Sequence, residues 1–244
     1  MNISGCIIIE NKNHIYMSQN NQISGIYVIV DPEHTLGRDI IYVVKQVLDA
    51  GANIIQLRDK ISTCEEISRS AYEIQKIIES YNKVFILNDY VNIAKNINTD
   101  GVHIGQKDMS IIKARKILNS EQLIGSSNAT LNEVKDSVNH GSDYIAVGSM
   151  FETSTKNDTR PAGIETLRKV REYTERSIVA IGGINLENCD ELIEAGADSL
   201  CIASAITKSD NIMDTCIKFV NKFDQIKKWR HNLSFFNTQY VANI

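Results

Sequence analysis

Proline is scarce in this sequence, at two residues in 244, and glycine is limited to thirteen. That scarcity excludes a collagen-like, linker-rich or low-complexity chain. The five cysteines (Cys6, Cys64, Cys189, Cys201, Cys216) are odd in number, lie far apart and form no C-x-x-C pair. Neither a structural zinc nor a disulfide framework is expected from them, and they fit a reducing cytoplasm. No apolar run approaches the roughly 20 residues that a membrane-crossing helix needs. Ile3-Ser4-Gly5-Cys6 resembles a lipoprotein cleavage box, but no basic segment and no apolar segment precede it. Charge of one sign is also lacking. The net charge is −4 and the isoelectric point about 5.8, which gives no electrostatic case for a nucleic-acid or membrane partner. The short basic run Lys227-Lys228-Trp229-Arg230-His231 reads as a solvated helix end, with Trp229 a packing residue. No G-x-G-x-x-G fingerprint occurs, and the five histidines show no metal-ligand spacing.

What is present is an ordinary globular balance, 43% hydrophobic and 23% charged, sufficient for one sizeable core. From residue 25 onward, short β-rich runs alternate with helical stretches. Candidate strands are Gly25–Asp31, Asn53–Leu57, Val84–Asn88, Gly101–Ile104, Leu123–Ser127, Tyr144–Gly148, Ile178–Ile181 and Ser199–Ala203. Several are continuous apolar runs, as parallel strands buried on both faces require. Between them, Ile40, Val43, Val44 and Val47 share one helical face, as do Ile67, Ala71, Ile74 and Ile78. Gly51, Gly141 and Gly196 fall where left-handed helix stops belong, inside the mutually similar phrases AGAN, HGSD and AGAD. Eight strands with a helix after each give a single (β/α)8 TIM barrel, the rival being a doubly wound open sheet. The barrel is expected over residues 25–227, with an N-terminal extension over 1–24 and a C-terminal tail over 228–244. The sequence leaves the oligomeric state open, and a homo-oligomer is compatible with it.

In this fold the active site forms at the C-terminal strand ends. Strand two ends in Gln56-Leu57-Arg58-Asp59-Lys60. Alternation sends Gln56, Arg58 and Lys60 to one side, where an amide, a guanidinium and an ammonium can clamp a phosphate. The same segment also reads as a surface cluster of local ion pairs. Asn88-Asp89 and Asp108 bring two carboxylates to neighbouring strand ends, a set suited to Mg²⁺ with phosphate oxygens completing its shell. Capping of the next helix is the alternative for either carboxylate. After strand six, Thr153-Ser154-Thr155-Lys156 can hold an anion or be a polar loop. Gly182-Gly183 and Ala203-Ser204 occupy the usual phosphate position after strands seven and eight. His103, inside strand four near the mouth, reads as a packed or hydrogen-bonded side chain.

Taken in order, GANIIQLRDK (51–60), FILND (85–89), DGVHIGQKD (100–108), DYIAVGSMFETSTK (143–156), AIGGI (180–184) and AGADSLCIASAI (195–206) closely resemble the thiamine phosphate synthase family. The likeness covers about residues 25–210. It implies a transferase that joins 4-amino-2-methyl-5-hydroxymethylpyrimidine diphosphate to 4-methyl-5-(2-phosphoethyl)thiazole, with no protein nucleophile. Residues Gln56 through Lys60 and Asn88 would contact the pyrimidine diphosphate, with Ser127 and Lys156 at its diphosphate end. Asp89 and Asp108 would hold Mg²⁺. Thr153, Ser154, Thr155, Gly183, Ala203 and Ser204 would hold the thiazole phosphate, and Arg58, Lys60 and Lys156 would stabilise the departing pyrophosphate. Three positions depart from the family pattern. Tyr90 stands where arginine is common, Gly148-Ser149 where Gly-Pro is usual, and Ser127-Asn128-Ala129-Thr130 lacks a histidine often found there. A thiazole tautomerase on the same barrel, which relies on that histidine, and a non-catalytic thiamine-precursor binder are the rival readings.

Overall fold

The computed structural model describes residues 23–153 and 160–241, with residues 230–241 as backbone only. Eight strands follow in order: β1 (Gly25–Val30), β2 (Ile54–Leu57), β3 (Val84–Asn88), β4 (Gly101–Ile104), β5 (Leu123–Asn128), β6 (Tyr144–Gly148), β7 (Ser177–Ile181) and β8 (Ser199–Ile202). Each pairs in parallel with the next, and β8 pairs with β1, with Gly25 opposite Ser199. That last ladder closes the barrel and removes the open-sheet alternative. The helices are α1 (Ile40–Asp49), α2 (Cys64–Tyr81), α3 (Val91–Ile97), α4 (Ile111–Ile117), α5 (Leu131–Asn139), α6 (Gly163–Tyr173), α7 (Cys189–Glu194), α8 (Ser204–Thr207) and α9 (Ile212–Val241). Asp31 and Ala203, expected at strand ends, lie just beyond β1 and β8, and Asn128 joins β5. Two helices follow β8, and α9 runs without a break across residue 227, where the barrel was expected to end.

Alternation along the strands builds two apolar layers. Ile26, Val28 and Val30 of β1, with Ile55 and Leu57 of β2, face outward into the shell between barrel and helices. Tyr27, Ile29, Ile54, Ile86, Tyr144, Ala146, Val179 and Cys201 fill the barrel interior. The shell is completed by the helical faces read from the sequence. Val43, Val44, Val47 and the α2 stripe Ile67, Ala71, Ile74 and Ile78 are all buried. Each of the buried Val and Ile side chains contributes about 1.5–3 kcal/mol. α2 is fixed at its start by a capping box, in which Thr63 and Glu66 satisfy each other's backbone amides. Gly51, Gly141 and Gly196 adopt φ values of 96°, 89° and 109°, the left-handed stops that their phrases suggested.

The similarity of those phrases has a structural cause. The residue just before each even strand accepts a hydrogen bond from the second amide of the preceding odd strand. Asn53 Oδ1 receives Ile26 N–H at 3.1 Å and Asp100 Oδ2 receives Phe85 N–H at 2.7 Å. Asp143 Oδ2 receives Ile124 N–H at 2.7 Å and Asp198 Oδ2 receives Ile178 N–H at 2.9 Å. These four side chains tie the strands in pairs at the N-terminal rim, opposite the pocket. Arg115 pairs with Asp143, and Arg171 pairs with Asp198 at 2.7 Å.

Candidate active site

One pocket opens at the C-terminal end of the barrel and reaches into its interior. Its β2 wall follows from strand alternation. Gln56 is buried and points inward, with its amide nitrogen 2.6 Å from the Tyr27 hydroxyl. Arg58 lines the pocket and pairs with Asp31, a carboxylate only 1% exposed whose other oxygen accepts Glu33 N–H at 3.0 Å. Lys60 reaches across to Asp89. The other face of the segment goes elsewhere. The Leu57 side chain is fully buried in the outer shell, and Asp59 Oδ1 closes the following turn by accepting Ile61 N–H at 3.1 Å and Ser62 N–H at 2.9 Å. The structure therefore does not bring the Leu57 and Asp59 side chains into the pocket, contrary to the contacts the resemblance implied for them. Alternation already separated them from Gln56, Arg58 and Lys60. Local ion pairs do form: Arg58–Asp31 sits on the pocket wall, whereas Lys60–Asp89 lies outside the pocket lining.

The two acidic residues expected to bind metal face each other. Asp89, in a left-handed conformation with φ of 63°, lies beside Asp108 and receives a hydrogen bond from Asn88 Nδ2 at 2.7 Å. Burial raises the Asp89 carboxyl above the usual carboxylate range; the bond from Lys60 opposes that shift and the neighbouring Asp108 adds to it. Neither residue is a helix cap. Ser110 caps α4 through Lys113 N–H, while Asp108 accepts Gly105 N–H at 2.9 Å, and Tyr90 occupies the cap position of α3. Among the described residues, no three His, Cys, Asp or Glu side chains form a metal-holding group. Two carboxylates held together with an ammonium as counter-ion suit a hard cation that draws its other ligands from phosphate and water, as Mg²⁺ does.

The opposite wall comes from β6 to β8. Gly182 and Gly183 have φ of 101° and 66°, and a Cβ on Gly183 would stand 2.4 Å from the Glu152 carbonyl oxygen. Glycine lets this turn lie flat against the loop after β6. Gly183, Ala203, Ser204 and Thr153 all line the pocket. Ser204 opens the short helix α8 at this edge, and the Ile206 and Thr207 amides close its first turn on the Ala203 carbonyl, each at 3.0 Å. Ser154, Thr155 and Lys156 lie outside the described residues. At the departures from the family pattern, the Tyr90 hydroxyl donates to the Asp59 carbonyl at 3.3 Å, joining two mouth loops. The Gly148–Ser149 peptide is cis, and Ser149 N–H donates to the Arg160 carbonyl at 2.9 Å. Asn128, where no histidine stands, is buried in a network with Ser126, Ser137 and Gln106.

The pocket also contains residues that sequence reasoning did not single out: Tyr27, Asp31, His34, Tyr144, Arg160 and Cys201. For several the signal was available. Tyr27, Ile29 and Asp31 continue one face of β1, and Tyr144 and Ala146 one face of β6. The pocket floor joins some of them to expected site residues. Tyr27 and Tyr144 hydroxyls are 3.1 Å apart, His103 Nδ1 is 3.1 Å from the Tyr144 hydroxyl, and His103 Nε2 is 2.8 Å from Ser127 Oγ. His103 is hydrogen-bonded, as its place in strand four suggested. Burial pushes both tyrosine hydroxyls well above their ordinary pKa, so both keep their protons.

Comparison with known proteins agrees with this arrangement. The family model described as thiamine monophosphate synthase matches residues 26–206. The chain is 36% identical over 203 residues to the thiamine-phosphate synthase of Clostridium acetobutylicum, covering 83% of this chain and 95% of that protein. It is 38% identical over 218 residues to the Methanosarcina mazei protein of the same name, covering 88% and 90% respectively. The solved structure of thiamine phosphate pyrophosphorylase from Pyrococcus furiosus superposes with a TM-score of 0.79 at 29% identity, covering 85% of this chain and 98% of that one. A barrel of this architecture, with these segments in this order, belongs to the thiamine monophosphate synthase family.

Proposed function

We propose that this protein joins 4-amino-2-methyl-5-hydroxymethylpyrimidine diphosphate to 4-methyl-5-(2-phosphoethyl)thiazole, giving thiamine phosphate and pyrophosphate. The observation that carries this reading is a pocket lined by the cation Arg58 and by Asn88 on one side and by Gly183, Ala203 and Ser204 on the other. Close in the chain to Arg58 and Asn88, outside the pocket lining, Lys60 pairs with Asp89, which lies against Asp108. The reaction breaks the bond between the pyrimidine methylene carbon and the diphosphate oxygen, and pyrophosphate takes the electron pair. The thiazole nitrogen then donates its lone pair to that carbon. Arg58 and Lys60 stabilise the charge that builds on the leaving oxygens, and the pocket holds nitrogen and carbon in line. Mg²⁺, held by Asp89 and Asp108, would neutralise part of the diphosphate charge. In this reading Thr153, Ser154 and Thr155 hold the thiazole phosphate, and Lys156 joins Arg58 and Lys60 in stabilising the departing pyrophosphate; Ser154, Thr155 and Lys156 lie outside the described residues. A cytoplasmic setting is part of the reading and is supported by the buried thiols of Cys189, Cys201 and Cys216. Among the described residues, no helix is long and apolar enough to cross a membrane.

The test is direct. Incubated with both phosphorylated halves, the protein should release pyrophosphate and form thiamine phosphate only when Mg²⁺ is present. No release with Mg²⁺ and both substrates would overturn the reading.

A further inference from the structure

The pocket floor carries a continuous hydrogen-bonded chain that runs from Gln56 through Tyr27, Tyr144 and His103 to Ser127. It crosses the barrel from β2 to β5 by way of β1, β6 and β4, and its two ends both line the pocket. Gln56, Tyr27, Tyr144 and His103 are all buried. A donor facing a donor, or an acceptor facing an acceptor, would therefore cost about 1–3 kcal/mol at any link.

With His103 neutral, counting hydrogens leaves two satisfied directions. Each tyrosine hydroxyl has one hydrogen, and a neutral imidazole has one N–H and one bare nitrogen. In the first direction the Gln56 amide nitrogen donates to Tyr27, Tyr27 to Tyr144, and Tyr144 to His103 Nδ1. His103 Nε2–H then donates to Ser127 Oγ. Gln56 is left offering its carbonyl oxygen to the pocket, and Ser127 its hydroxyl hydrogen. In the second direction every bond reverses. Gln56 then offers its NH₂ group, and Ser127 offers only lone pairs.

We propose that this chain is a specificity device: it forces Gln56 and Ser127 to present opposite hydrogen-bonding characters, so that one ligand must match both ends at once. Tyr27, Tyr144 and His103 act as positioning residues through Gln56 and Ser127. The proposal rests on the substrate reading above. A ring amine at Gln56 and an anionic diphosphate oxygen at Ser127 satisfy the first direction at both ends. A ring with an oxo group in place of the amine needs the Gln56 NH₂ and so the second direction, which turns Ser127 lone pairs toward the anion.

The experiment compares dissociation constants, measured calorimetrically with Mg²⁺, for the aminopyrimidine diphosphate and its 4-oxo analogue. Binding is used because the oxo ring also alters the chemistry. Y144F removes the central hydroxyl and uncouples the two ends, so the wild-type preference for the amine should shrink about tenfold or more. Y27F breaks the adjoining link and should do the same. An unchanged ratio in a folded variant overturns the proposal. A readout in the wild-type protein does not depend on variants: ¹⁵N chemical shifts of His103 should report an Nε2–H tautomer with the amine ligand and an Nδ1–H tautomer with the oxo ligand. One tautomer in both complexes also overturns it. If the wild-type enzyme turns over the amine substrate and either of these fails, the specificity device alone falls. If it binds neither diphosphate, the functional reading falls and this proposal with it.

Discussion

Asp31 holds the Arg58 guanidinium at the pocket wall, and the carboxylate that does so is almost fully buried while the arginine stays partly exposed. The two contributions of Arg58 can therefore be separated. R58A removes a phosphate ligand and also strands a buried carboxylate, so it should weaken diphosphate binding and destabilise the fold by about 3 kcal/mol. R58A/D31N no longer leaves a buried charge unpaired and should recover most of the stability with none of the affinity. Urea unfolding beside steady-state pyrophosphate release distinguishes these outcomes. Equal stability of the single and double variants would show that the pair does not hold the arginine as argued.

The Asp89–Asp108 arrangement sets stability against function. Without a bound cation, two carboxylates at close range repel, and Lys60 compensates only in part. D108N keeps an oxygen for the Gly105 amide and removes that repulsion. The metal-free variant should melt higher by about 2 °C. Its Mg²⁺-dependent activity should fall by about a hundredfold or more. Melting curves with and without Mg²⁺ supply a second check: the wild-type midpoint should rise on adding the ion and that of D108N should not.

The strands, the two helical faces and the cationic segment after β2 were legible in the sequence because each rests on a short-range period. The period of two that separates Gln56, Arg58 and Lys60 from Leu57 and Asp59 held in the structure. It failed to direct attention to Tyr27 and Tyr144, because an inward tyrosine in an apolar run reads as core until its hydroxyl partner is known. That partner is 117 residues away for Tyr27. Asp31 was passed over although it continues that inward face, because its Arg58 partner follows another strand and stands 27 residues away. The AGAN, HGSD and AGAD phrases were visible as repeats, but their function of tying odd strands to even ones requires the closed register. The equivalent Asp100 was not grouped with them because no helix-stop glycine precedes it.

Asp100 provides a pH test of that N-terminal rim. Burial raises its carboxyl above the ordinary value; the Phe85 amide opposes the shift and Glu79 adds to it. Asp143 and Asp198 have arginine partners, whereas among the described residues Asp100 has no ion pair. A carboxyl that holds its proton more tightly when folded binds more protons in the native than in the unfolded state. Its contribution to stability is thus fully present below the unfolded value near 3.8 and is lost as pH rises through the higher folded value. D100N retains an acceptor for Phe85 N–H and lacks this loss. The stability of D100N relative to wild type should therefore increase as pH is raised from about 4 to 7, as read from urea midpoints across that range. A constant difference would mean that Asp100 does not carry the rim's pH dependence.

Gly125 decides whether the Tyr144 ring fits. A Cβ at this position would stand 1.9 Å from Tyr144 Cζ and 2.4 Å from both Cε atoms of a ring that is itself buried. G125A should cost roughly 1–3 kcal/mol by overpacking. It should also move the Tyr144 hydroxyl away from Tyr27 and His103. The two effects separate in a Y144F background. Phenylalanine keeps every ring atom that clashes, so the stability cost of G125A should be the same there as in wild type. The hydroxyl is already gone, so G125A should add much less to the loss of pyrimidine discrimination in Y144F than it causes alone. A stability cost that vanished in Y144F would instead place the strain in the hydroxyl contacts, and the ring would not be the object against which Gly125 is fitted.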